Sequence, residues 1–138
     1  MTADELHAYL DEVFPQVRGR YRITRLEPMR LTVAMRTAEG DLRPGGTISG
    51  PAMFALADCA FYMATLAMIG REALTVTTGC AIDFMRKPTP GDMRAEAEIL
   101  KLGRSLSVGD VRLFSDGIAA PVARASLTYS IPPRRAEG

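Results

Sequence analysis

Cysteine is scarce in this chain: Cys59 and Cys80 are its whole complement. Two are too few for a disulfide framework or a zinc site, and both lie in apolar runs, which predicts buried free thiols and a reducing, cytoplasmic compartment. Histidine is scarcer still, with His7 alone, expected at the surface of the N-terminal segment. Net charge is nearly absent as well, since 17 Lys and Arg stand against 16 Asp and Glu. Nucleic acid and anionic membranes are bound through a strong positive field, so neither is an expected partner. That balance still leaves room for a small anionic ligand held by a few local basic groups. No basic stretch precedes an apolar run at the N-terminus, which carries Asp4, Glu5, Asp11 and Glu12, so a signal peptide is not expected. Neither a repeat nor a second domain is visible, and residues 1–138 are read as one domain, long enough to build a genuine core.

The pattern divides into one long helix and several strands. Thr2-Ala3-Asp4-Glu5 is a capping-box sequence, and apolar residues then recur at helical spacing, which predicts a helix over 2–14 stopped by Pro15, within an N-terminal helix and connector over 1–20. Alternation from Met29 to Arg36 predicts a half-buried strand, and 37–47 a Gly/Pro-rich loop. Residues 51–69 contain no Gly or Pro after Pro51, with Gly50-Pro51 fitting a cap and first turn and Gly70 a stop. Beyond Gly70 the period becomes two, predicting strands over 74–86, 92–102, 105–115 and 119–131, with a bulge near Gly109 where the apolar phase shifts. Short turns between consecutive strands favour antiparallel pairing. The tail 132–138 is expected to fray. The fold class is therefore α+β: a curled antiparallel sheet wrapped around a long central helix, whose remaining face is closed by a second subunit.

Asp58 is the one charged residue in the 51–69 helix. That helix has the length of a membrane span, but a central Asp costs about 2.5–3.5 kcal/mol on insertion scales, and the strands need a soluble core to pack on. Burying an ionised carboxylate costs several kcal/mol unless partners or water compensate, so a chain that keeps one there is expected to use it. The helix N-terminus adds a second component, because its free N–H groups and positive dipole end suit a developing oxyanion. Pro51 has no N–H, which makes Gly50 the natural donor. Along one helix Gly50 and Asp58 lie about 12 Å apart, too far to act on one carbonyl, so Gly50 of one subunit is expected to meet Asp58 of the other.

GTISGPAMFALADCAFYMA, followed by TVTTGCAIDFMRKPTPGD and AEAEILKLGRS, resembles the hotdog-fold acyl-CoA thioesterases of the PaaI (phenylacetate-degradation) type across about residues 25–131. The resemblance implies that the thioester carbonyl of an acyl-CoA substrate is polarised by Gly50 N–H, that Asp58 acts as base or nucleophile, and that Thr77, with Thr75 and Thr78 as competitors, orients the carboxylate or water. It implies no metal and no cofactor beyond the CoA carried by the substrate. One side of the 51–69 helix would otherwise expose a large apolar stripe, which predicts at least a homodimer, with a tetramer built as a dimer of dimers left open. Three positions depart from the family pattern. Ser49 replaces a His and Pro51 a second Gly, while Arg43 stands near a loop Asn or Gln, where it would hold the carbonyl or a substrate carboxylate. Lys101 and Arg104 fall where the family often meets the CoA phosphates. A hydratase on this fold would need a His beside the acid, and His7 lies outside the motif. The rival that stays open is a non-catalytic acyl-CoA or lipid-binding module.

Overall fold

The computed structural model describes residues 1–133; of the tail expected to fray, 134–138 lie outside the described residues. Helix α1 spans Ala3–Val13, and Thr2 caps it with the reciprocal Glu5 contact that the capping box requires. Strands β1 (Tyr21–Glu27) and β2 (Arg30–Met35) follow, then α2 (Gly50–Ile69) and strands β3 (Val76–Phe84), β4 (Met93–Leu102), β5 (Leu106–Ser115) and β6 (Ala123–Ser130). All pairings are antiparallel, in one six-stranded sheet of order β1-β2-β4-β5-β6-β3. The sheet curls around α2, which is the hotdog arrangement. Leu56, Ala60, Phe61 and Leu66 of the helix are fully buried against Val33, Val111, Leu113 and Leu127 of the sheet. By length and hydropathy α2 could cross a membrane, yet 61% of its most apolar window is buried inside this fold.

Four expectations are corrected. Strand β1 has no counterpart among the expected strands; it hairpins onto β2 through a turn in which Met29 holds φ 68°, a conformation that residue types other than Gly, Asn and Asp rarely adopt. Ser49, not Gly50, is the cap of α2: its Oγ accepts from Ala52 N–H at 3.2 Å, and Gly50 becomes the first helical residue. Strands β3 and β4 are consecutive but not paired. The link between them contains Pro88 and Pro90, which cannot donate to a ladder, and Thr89 N–H bonds Ser115 Oγ at 2.8 Å as the link passes the end of β5. The bulge lies across from Gly109, at Leu100 of β4, between the pairs Ile99–Gly109 and Lys101–Val108.

Gly109 is small for a different reason. A side-chain carbon there would stand 2.5 Å from Phe61 Cε1 and closer still to the Glu98 carbonyl oxygen, so the helix ring presses on bare backbone. Gly109→Ala is therefore expected to cost about 1–3 kcal/mol of stability, read as a lowered denaturation midpoint at unchanged m-value.

Cys80 and His7 also differ from expectation. Cys80 is exposed because β3 is an edge strand, on which only Thr77 and Ile82 are even half-buried. His7 is half-buried, and its Nε2 accepts from Ile23 N–H at 3.1 Å, tying α1 to β1.

Candidate active site

Helix α2 is covered on most sides, and the stripe left open carries Phe54, Ala55, Asp58 and Cys59, one turn apart in pairs. Asp58 is thus half-buried at the floor of a cleft of about 580 Å³ rather than sealed in the core. Access to solvent relieves much of the desolvation cost that a fully buried carboxylate would meet. Thr77 Oγ1 donates to Asp58 Oδ1 at 2.6 Å, and Tyr129 O–H approaches the same oxygen at 2.5 Å and the Asp58 carbonyl at 2.9 Å. Both donors converge on Oδ1, and among the described residues Oδ2 carries no hydrogen bond. The carboxylate is therefore fixed through one oxygen and free at the other.

Strand pairing explains this convergence. Thr77 and Tyr129 face each other across β3 and β6, so both hydroxyls reach the helix from one rung. Thr75 is buried with its hydroxyl unpartnered among the described residues, and Thr78 donates to the Thr128 carbonyl at 3.3 Å, so neither touches Asp58. Sequence reasoning missed Tyr129, because an inward aromatic on a strand reads as core; its ring does pack on Phe61 at 5.6 Å. Burial and the Asp58 carboxylate push the Tyr129 phenol far above its ordinary range, so it stays a proton donor. Burial, reinforced by the Asp58 charge, pushes the Cys59 thiol up to about 11, which leaves it protonated and non-nucleophilic at neutral pH.

Gly50 lies elsewhere in the chain, in a second cleft of about 600 Å³ that it shares with Arg43, Phe84, Arg86 and Lys87. Its N–H, at the first position of α2, has no intrahelical partner. The loop that delivers it is well braced. Asp41 N–H bonds the Ala38 carbonyl, the Asp41 carbonyl accepts from Ser49 N–H at 2.7 Å, and Leu42 and Ile48 bridge. The Asp41 carboxylate is paired with Arg20. Burial pushes that carboxyl up, but Arg20 and the Ala38 N–H together hold it below its ordinary value. Arg43 is exposed within a turn closed by its N–H on the Thr47 carbonyl at 2.8 Å.

One chain thus brings Asp58 together with Thr77, and Gly50 together with Arg43, in separate clefts. Ser49 is occupied with capping. Lys101 and Arg104 are exposed at the β4–β5 turn and line neither cleft. Among the described residues no group of three His, Cys, Asp or Glu side chains converges as a metal site.

The model of the thioesterase superfamily matches residues 45–122, from the loop before α2 to the loop leading into β6. None of the curated proteins matches the chain. Among solved structures, a protein of Silicibacter sp. TM1040 provisionally assigned as a thioesterase is 55% identical, covering 96% of this chain and 93% of that one, with TM-score 0.89. The phenylacetic acid degradation protein PaaI of Thermus thermophilus is 27% identical over 86% of this chain and 99% of its own, with TM-score 0.73. A Streptococcus mutans protein bound to acetyl-CoA shares the fold at 19% identity, 85% and 92% coverage and TM-score 0.73.

Proposed function

The chain belongs to the thioesterase superfamily, and we propose from that premise that it hydrolyses the thioester bond of acyl-CoA at a site shared between two subunits. The observation that carries this reading is the Asp58 carboxylate, held at Oδ1 by Thr77 and Tyr129 with Oδ2 left for chemistry. In the general-base form, Oδ2 takes a proton from water as the hydroxide adds to the thioester carbon. The tetrahedral oxyanion is met by Gly50 N–H of the partner subunit at the positive end of α2. Collapse breaks the C–S bond, and the proton on Asp58 goes to the departing thiolate. In the nucleophilic form Oδ2 attacks the carbonyl carbon, and the C–S bond breaks to expel CoA thiolate. Water then cleaves the acyl–Asp58 anhydride to the free acid and the carboxylate, its proton going to the thiolate.

The shared site is supported by the exposed edge. Val76 and Phe84, at the two ends of β3, are 56% and 51% exposed, and Leu74 beside it is 82% exposed, apolar side chains along a strand whose outer edge is unpaired. Pairing two β3 edges antiparallel about a two-fold axis sets the Thr77 end of one chain against the Phe84 end of the other. A side-chain carbon on Gly50 would lie 3.4 Å from Phe84 Cζ, so that pairing carries Gly50 toward the partner's Asp58. A homodimer is the smallest assembly that completes the site, and a dimer of dimers is compatible with it.

The Streptococcus protein was solved bound to acetyl-CoA, which supports a CoA thioester as the substrate here. Here Arg43, Arg86 and Lys87 around Gly50 supply cationic groups for the CoA phosphates and, in the case of Arg43, for the carbonyl or a carboxylate beside it. Lys101 and Arg104, at the end of the sheet that holds Thr77, form a second such set. A cytoplasmic enzyme acting on cytoplasmic CoA esters fits these assignments.

Incubating the protein with a panel of acyl-CoAs and a thiol reagent tests the proposal. Catalytic release of free CoA is expected. Saturable binding without release would establish the non-catalytic alternative instead. Tyr129→Phe should retain substrate affinity and lower kcat about tenfold, the loss expected for one hydrogen bond to a charged group; an unchanged kcat would show that Thr77 alone positions the carboxylate.

A further inference from the structure

The Asp58 cleft does not end at the helix. Behind it lies a small, partly open void of about 20 Å³, reaching to His7, Leu10 and Met63 between α1 and α2. Cleft and void share Phe14, Val17, Tyr21, Cys59 and Tyr62, which form the partition between them. A space of that size admits one water-sized group and no further chain.

The partition is rigid. Phe14 is the C-cap of α1, with its N–H on the Leu10 carbonyl at 2.7 Å and Pro15 directly after it, so its backbone has little freedom. Its ring meets Tyr62 edge-on, with centroids 6.3 Å apart and planes at 80°. Tyr62 is itself pinned, because its hydroxyl donates to the Ala73 carbonyl at 2.8 Å, and Ala73 N–H in turn donates to Tyr9 O–H at 3.0 Å. Helix α1 is anchored beneath by Leu6, Tyr9 and Leu10, all buried.

We infer that Phe14, braced by Tyr62, is the residue that limits acyl-chain length: an apolar acyl group entering past Asp58 runs along the aromatic wall and stops at the Phe14 ring. Val13, Gln16 and Val17 continue the same wall, so the N-terminal segment carries specificity while Asp58, Thr77 and Tyr129 carry chemistry. The inference rests on the acyl-CoA reading above and adds the element that selects among acyl groups. Removing the Phe14 ring joins the cleft to the void behind it and leaves the catalytic hydrogen bonds untouched.

The test is a series of straight-chain saturated acyl-CoAs of increasing length, measured with wild type, Phe14→Ala and the milder Phe14→Leu for both kcat/KM and dissociation constant. One methylene in an apolar pocket is worth roughly 10–200-fold. Wild type is expected to show an abrupt fall beyond a limiting length. Both variants should move that limit to longer chains, with kcat/KM for the first rejected chains raised at least about tenfold. If the wild type hydrolyses acyl-CoA and the limit is the same in every folded variant, Phe14 is a core residue and the inference fails while the hydrolase reading stands. If no chain is hydrolysed but the affinity limit moves, the length assignment stands and the hydrolase reading fails. Absence of both turnover and binding overturns both. Phe14→Leu keeps a branched apolar side chain at the cap and carries the test if Phe14→Ala does not fold.

Discussion

Asp58→Asn is expected to leave the fold and CoA affinity intact and to lower kcat on the order of a hundredfold or more. The amide is nearly isosteric, so Thr77 and Tyr129 can still donate to its oxygen at the place of Oδ1. What changes is the other position, where a carboxylate oxygen that can take a proton or attack carbon becomes an NH₂ that can do neither. A loss confined to kcat at unchanged dissociation constant is the signature of a group used in the transition state. Because both existing hydrogen bonds are kept, the melting temperature should shift little. Wild-type turnover in the variant would make Asp58 a structural carboxylate and remove the mechanism.

Gly50→Val attacks the other half. No side chain lies at Gly50, and within its own chain the nearest atom to an added carbon would be Phe84 Cζ at 3.4 Å, an ordinary contact with a half-exposed ring. The fold should therefore tolerate the substitution. A carbonyl approaching the N–H at the start of α2 should not, because the branched side chain occupies the space it needs. Displacing a reacting carbonyl by about 1 Å can cost a hundredfold, and losing one oxyanion donor 10²–10³-fold, so kcat/KM is expected to fall by at least about a hundredfold. Steady-state kinetics beside a thermal melt check the two halves of this statement. Full activity would place the oxyanion donor elsewhere.

Much of this architecture can be read from residue order, and the misses have physical causes. The ends of α2 are legible because Pro51 and Gly70 obey the asymmetry of helix termini, and β4 because Met93, Ala95, Ala97 and Ile99 alternate cleanly with charged residues. Strand β1 is hidden because it is an edge strand with no fully buried residue, and because its hairpin turns on Met29 rather than on a residue type that advertises a positive φ. The bulge falls on the other strand of its pair because Leu106 and Val108, though apolar, do not belong to the inward row of β5. That row is Ser107, Gly109, Val111 and Leu113, whose first two members have little or no apolar side chain to reveal the phase.

At the site, Asp58 stands out because a lone charge in an apolar helix needs a reason, and the Gly50 N–H because Pro51 leaves no other donor nearby. Tyr129 has no such signal. Its role follows from being opposite Thr77 across β3 and β6, a pairing between strands about fifty residues apart that local periodicity does not encode. The exposure of Cys80 is illegible for the same reason, since edge position is a property of the whole sheet order.

The central claim is that each site takes Asp58 from one subunit and Gly50 from the other, and subunit complementation tests it most directly. Asp58→Asn and Gly50→Val proteins, each nearly inactive alone, are mixed, allowed to exchange subunits to equilibrium and assayed with an acyl-CoA. In a shared site, each mixed dimer contains one site with both defects and one with neither, so about a quarter of wild-type activity is expected to return. Activity that stays at the level of the two parent variants, with subunit exchange verified independently, would mean that Asp58 and Gly50 act within a single chain or not together, and would contradict the account.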